Sequence, residues 1–181
     1  NLTFEGPQYQ AHVDLQEAEG MLNLNAKLNA STLAYEADLM VDSLELTHFM
    51  PQDSLSLLTT TIKASGQGFD LASPKTKADI QAVLDHLHYG HWKFDKMQMH
   101  AGLNQSVASL KVDSDNELLK LKLDGNMRFD RTYLDGTLDM DVNQVDLYGL
   151  GIAPKPLKRP FAFTVASEAR HDSVKLQLNA G

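Results

Sequence analysis

Apolar and polar residues alternate along most of this chain with a period of two, and few folds accept that pattern over such a length. Leu22, Leu24, Ala26 and Leu28 fall on one side of a strand, and Asn23, Asn25, Lys27 and Asn29 on the other, because successive side chains of a strand point to opposite faces. After a turn at 30–32 the pattern resumes, with Leu33, Tyr35, Ala37, Leu39 and Val41 set against Ala34, Glu36, Asp38 and Asp42. Leu2 and Phe4 alternate with polar neighbours before a Gly6-Pro7 turn, and Tyr9, Ala11, Val13 and Leu15 continue the pattern. It recurs at Met97 to Leu103, Ala108 to Val112, Leu119 to Phe129, Phe161 to Val165 and Val174 to Leu178. One apolar face and one solvated face is the grammar of an antiparallel sheet; the strands of a parallel sheet, buried on both sides, read as continuous apolar runs. The expected fold class is all-β.

The alternation slips phase at four places. After Val41 the apolar positions move to Leu44 and Leu46, after Val142 to Val145 and Leu147, after Leu84 to Leu87 and Tyr89, and after Phe94 to Met97 and Met99. Each slip reads apolar, Asp or Asn, polar, apolar. A slip of one residue would throw the rest of a strand to the wrong face unless a bulge or bend absorbs it. The four sites are therefore predicted bulges that curve the sheet, with chance in an Asp-rich β sequence as the competing explanation.

The pattern is also written twice. Leu22 and Leu24 match Leu119 and Leu121 at an offset of 119 − 22 = 97, while Leu33, Leu39 and Val41 match Leu134, Met140 and Val142 at 134 − 33 = 101. The difference, 101 − 97 = 4, predicts a four-residue insertion near a hairpin turn, where insertions are tolerated. The chain is read as an internal repeat of about 100 residues, with copies over about 1–70 and 98–181 joined by 71–97. It reads as one β-repeat fragment, 1–181, of a longer chain.

Residues 73–90 admit two readings. Ser73 and Pro74 resemble a helix start, Ile80, Val83, Leu84 and Leu87 have helical spacing, and Gly90 could end a helix. Ile80, Ala82 and Leu84 also alternate as a strand would. The 149–160 segment, with Pro154, Pro156 and Pro160, reads as a loop matching the one after Phe49.

Composition excludes several functions. A formal net charge of −8 argues against nucleic-acid binding, which wants clustered Lys and Arg. With no Cys, there is no disulfide framework, thiolate metal site or cysteine nucleophile. The Gly66-Gln67-Gly68 run lacks the further glycines and the Lys-Ser or Lys-Thr of a phosphate loop, and reads as a turn or bulge. His86, His88 and His91 are close in sequence, but no spaced fourth ligand accompanies them, and solvent-facing histidines are expected rather than a metal site. The carboxylates alternate with apolar residues, which places them on a solvated face rather than in a cleft, and no nucleophile elbow is present. No catalytic residue and no cofactor is expected.

Within 60–123, the runs Ala64-Ser65-Gly66-Gln67-Gly68, Leu87-His88-Tyr89-Gly90, Trp92-Lys93-Phe94, Met97 to Leu103 and Ser114-Asp115-Asn116-Glu117 resemble the TamB/AsmA-like envelope proteins, in particular the TamB-like translocation and assembly module of Bacteroidetes. That resemblance implies an elongated, curved antiparallel sheet forming an open trough, β-taco-like, with an apolar inside, and it favours strand over helix for 77–87. It further implies a non-enzymatic, periplasmic segment of an inner-membrane-anchored protein that serves phospholipid transport between membranes and outer-membrane protein assembly. The implied partners are phospholipid acyl chains, an outer-membrane assembly protein of the Omp85 type, and neighbouring repeats of the same chain. From the sequence itself, a long apolar face with little to cover it is expected to bind something apolar. The candidate groove residues are Leu22, Leu24, Leu39, Leu119, Leu121, Leu123, Leu138 and Met140. The alternatives are a β-sandwich or solenoid scaffold or adhesin module without lipid, and a hydrolase on a β scaffold.

Overall fold

The computed structural model describes residues 1–17, 20–45, 47, 55–129, 134–159 and 161–180. These form β1 (Leu2–Glu5), β2 (Gln8–Glu17), β3 (Gly20–Asn29), β4 (Ala34–Glu45), β5 (Leu55–Gln67), β6 (Lys77–Tyr89), β7 (Trp92–Asn104), β8 (Val107–Asp115), β9 (Leu119–Phe129), β10 (Leu134–Val145), β11 (Phe161–Arg170) and β12 (Ser173–Ala180). The twelve strands make one sheet in the order of the sequence, every neighbouring pair antiparallel. The sheet is open and curved like a trough and does not close into a barrel. No helix occurs among the described residues, so 77–89, ambiguous in sequence, is strand.

A single layer cannot hide its surface. The chain exposes 12420 Å², whereas a compact protein of 20.0 kDa exposes roughly 8,700 Å². The buried apolar side chains among the described residues are only Val41, Leu44, Leu103 and Val142.

Register stacks the apolar residues into rows that cross the sheet. One row runs Val13, Leu24, Leu39, Ile62, Ala82, Met99, Val112, Leu123, Met140, Val165 and Leu178, from β2 to β12. A neighbouring row carries Leu22, Val41, Thr60, Leu84, Met97, Ser114, Leu121 and Val142. Directly opposed side chains on one face are the stabilising unit of a sheet, so each row is a chain of such contacts.

The four predicted phase slips are all irregularities, and they lie on one line. Register shifts fall between Val41 and Leu44 in β4 and between Val142 and Val145 in β10. In β6, Asp85 is the residue left out between Leu84 and His86, and Lys96 of β7 stands opposite it. Ser43 and Lys96 take positive φ, 49° and 52°. The β2–β3 and β8–β9 turns fall on the same line, since β3 starts at Gly20 and β8 ends at Asp115. This crease bends the sheet toward its apolar side, as exposure records: Val41 and Leu44 are 3% exposed and Val142 2%, all three beside the bulges.

The crease also corrects the alignment of the two copies. Val41 and Val142 precede equivalent bulges, but Val41 pairs with Leu22 whereas Val142 pairs with Leu121. Leu22 is therefore equivalent to Leu121, an offset of 121 − 22 = 99, and the second hairpin is longer by 101 − 99 = 2 residues rather than four. Leu119 pairs with Val145, and its equivalent in the first copy is Gly20. A shift of two residues keeps every side chain on its face, so facing is unchanged. Strand order is also shared, β2 to β5 corresponding to β8 to β11. Residues 71–97, between the two copies, contain β6 and the start of β7 and belong to the same sheet. Leu33, expected to open a strand, sits instead in the β3–β4 turn with φ 56° and is 43% exposed.

Candidate functional site: the apolar face and its rim

All eight candidate residues lie on the apolar face, in two groups. Leu24 pairs directly with Leu39, with Leu22 one row nearer the crease. Leu123 pairs with Met140, Leu121 with Val142, and Leu119 with Val145 on the far side of the crease. Leu138 sits across from Gly125, whose added Cβ would stand 3.0 Å from Leu138 Cδ1. Strands β5 to β8 separate the groups, and at roughly 4.8 Å per strand that is about 24 Å between β4 and β9. Ile62, Ala82, Met99 and Val112 bridge the interval in the same row. These bridging residues were absent from the sequence-based set, although their alternation is as regular; following the register across the middle strands finds them.

Leu138 is 36% exposed and the other seven candidates are half-buried. Exposure reaches 38% at Met99, 43% at Met127 and, on the edge strand β12, 61% at Leu178, whereas Leu103 at the far end of β7 is buried. The face is thus uneven, buried beside the bulges and again at Leu103. At its far side Tyr35 lies over Gly66 and stacks on Phe69 with ring centroids 5.5 Å apart. Gly66 leaves room for that ring, and Gly68, at φ 81°, ends the strand, so the glycine run serves the sheet.

The opposite face is hydrophilic. A depression of about 880 Å³ runs across β6 to β11 between two polar rows that include Gln98, Asp113, Lys122 and Asp141 in one, and His100, Lys111, Asp124 and Asp139 in the other. A twisted sheet is saddle-shaped, which lets this face be hollow across the strands while the apolar face is hollow along the crease. Cross-strand ion pairs join Lys111 to Asp124 at 3.1 Å and Lys122 to Asp113 at 3.7 Å, with both partners largely exposed. His100 donates to Asp79 at 2.6 Å and Gln81 adds a bond at 3.0 Å. Those two bonds, the histidine's first, hold the Asp79 carboxyl below its ordinary value, and Lys120 does the same for Asp115.

Among the described residues no three His, Asp or Glu side chains converge as metal ligands. His86 faces Thr59 and Asp95 across the sheet, and His91 lies in the β6–β7 turn, packed against Trp92 at 5.1 Å. No helix among the described residues is long and apolar enough to cross a membrane. Searches against protein-family models, curated proteins and solved structures found no match to this chain.

Proposed function

We propose that the apolar face holds phospholipid acyl chains, and that the protein is a non-enzymatic segment of a cell-envelope protein serving phospholipid transport between membranes and outer-membrane protein assembly. The observation that carries this reading is the apolar row that runs without interruption from Val13 to Leu178, on a face that no second layer covers among the described residues. Ordinary soluble proteins leave contiguous apolar patches of only a few hundred Å². An acyl chain fits such a face because it asks for no hydrogen bonds and has no preferred register. Each row offers the next apolar contact roughly 4.8 Å further on, so a chain can move along the crease by exchanging equivalent contacts. Twelve strands at that spacing give a path of roughly 50 Å.

On this reading the protein works in the periplasm, within an inner-membrane-anchored chain whose neighbouring repeats extend the path. An outer-membrane assembly protein of the Omp85 type receives its far end. A scaffold or adhesin module, in which another sheet covers the same rows, is the second reading. Mass spectrometry of an organic extract of the purified protein distinguishes them. Stoichiometric phospholipid supports the groove, and a lipid-free extract from protein that also fails to take up added phospholipid would overturn it.

A further inference from the structure

The connections at the crease end of the strands differ in chemistry from the rest of the molecule. Residues 147–167 contain no Asp or Glu, yet Lys155, Lys158 and Arg159 fall together there in a chain of net charge −8. All three are exposed, with no ion-pair partner among the described residues. In the same loop Tyr148 is 50% exposed, Ile152 70% and Leu157 52%. The β6–β7 turn lies alongside: a Cβ on Gly151 would come within 4.0 Å of His91 Nε2, and His91 packs on Trp92, which stacks with the exposed Tyr89. The carboxylates of this rim include Asp146, which accepts the amides of Tyr148 and Gly149, Glu117 in the β8–β9 turn and Glu45 at the end of β4.

We infer that this rim, the 146–159 loop with the Tyr89–Trp92 turn, docks on the surface of an anionic phospholipid bilayer. Exposed aliphatic and aromatic side chains beside exposed cations match the layered chemistry of that surface. Tyr and Trp rings settle at headgroup depth, while Lys and Arg are drawn to anionic headgroups. Three cations are too few for the phosphate ladder of a nucleic acid. A protein partner would have to supply acidic and apolar groups in register, which a bilayer presents everywhere. This inference concerns how the protein meets a membrane and stands apart from the acyl-chain reading of the groove.

The test is flotation of the protein with vesicles of phosphatidylcholine containing phosphatidylglycerol, against vesicles of phosphatidylcholine alone. The protein should float with the anionic vesicles only, and raised salt should release it. Trp92 is the only tryptophan and should be quenched by brominated phosphatidylglycerol. With about five-fold in partitioning per cation, Lys155→Gln, Lys158→Gln and Arg159→Gln together should weaken binding roughly a hundred-fold with an unchanged circular dichroism spectrum. Leu138→Arg, which alters the groove and not the rim, should still float. No flotation of the parent, equal flotation with neutral vesicles, or full flotation of the triple variant would each overturn the inference, whatever the lipid content of the groove.

Discussion

The side-chain amide of Asn116 donates to the backbone carbonyl of Lys93 at 3.1 Å, in the place where β8 has ended and β7 runs on with only β6 beside it. The same amide reaches Asp95 Oδ1 at 2.8 Å, and Asn116 Oδ1 accepts the Leu118 amide at 2.9 Å. At 2% exposed, Asn116 is the most deeply buried polar side chain among the described residues. It substitutes for the missing strand. Asn116→Ala should therefore cost about 1–3 kcal/mol, the usual consequence of leaving buried polar groups unpaired. Urea denaturation measures it, and a variant as stable as the parent would remove Asn116 from this role.

Gly20 sits against the first bulge so closely that a Cβ would lie 2.7 Å from the Ser43 carbonyl oxygen and 2.8 Å from Leu44 Cα. Both are backbone atoms of the crease and cannot swing aside. Gly20→Ala should destabilise by about 1–3 kcal/mol, as overpacking does. Gly6→Ala meets nothing within 4 Å but has φ 57°, and should cost about 1–2 kcal/mol through backbone strain. Thermal melts in which Gly20→Ala is as stable as the parent would refute the tight crease.

Acid should weaken the polar face in a defined direction. Asp79 and Asp115 have carboxyl values held below the ordinary 3.8, so each contributes stability that is present above that value and is lost as pH falls through the lower, folded-state value. Both groups are exposed and their contribution is screened by salt. The stability gap between the parent and an Asp79→Asn, Asp115→Asn variant should be open at neutral pH and close on acidification, below pH 3.8. A gap that widens in acid would reverse the assignment.

Unequal exposure on the apolar face separates lipid loss from unfolding. Leu138, at 36% exposed, lets an arginine reach water along its own methylenes, whereas Val142, at 2%, does not. Leu138→Arg should keep the β-sheet circular dichroism spectrum and lose bound phospholipid, since a charge on a lipid-facing sheet costs roughly 2–4 kcal/mol. Val142→Arg should unfold the protein. Retention of lipid by folded Leu138→Arg would argue against acyl chains on these rows.

The strands and the crease were legible in the sequence because both are written in side-chain facing. A bulge changes the parity of the apolar positions, and parity can be counted. The true equivalence of Leu22 with Leu121 was not legible, since a shift of two residues leaves parity intact and only the pairing with Val41 and Val142 reveals it. In β6 the helical spacing came from Val83, which lies on the polar face between Thr61 and Gln98 and is 37% exposed. Met21 and Met40 are likewise apolar residues on the hydrophilic side. The groups on the apolar face could be named from alternation, but the middle of the face needed the register. Asn116 gave no sign at all, because a Ser-Asp-Asn-Glu run reads as an exposed turn.

The order of the strands in the sheet is the order of the strands in the chain, which has a kinetic consequence. Each strand pairs with the one made just before it, and no strand pairing waits for a distant segment. Closing short loops is entropically cheap, and folds built from local contacts form quickly. Such a sheet can assemble hairpin by hairpin while its polypeptide is still emerging N-terminus first, each finished hairpin serving as the template for the next. Its folding time should then grow in proportion to the number of strands, so that lengthening the array adds reach without adding a topological search.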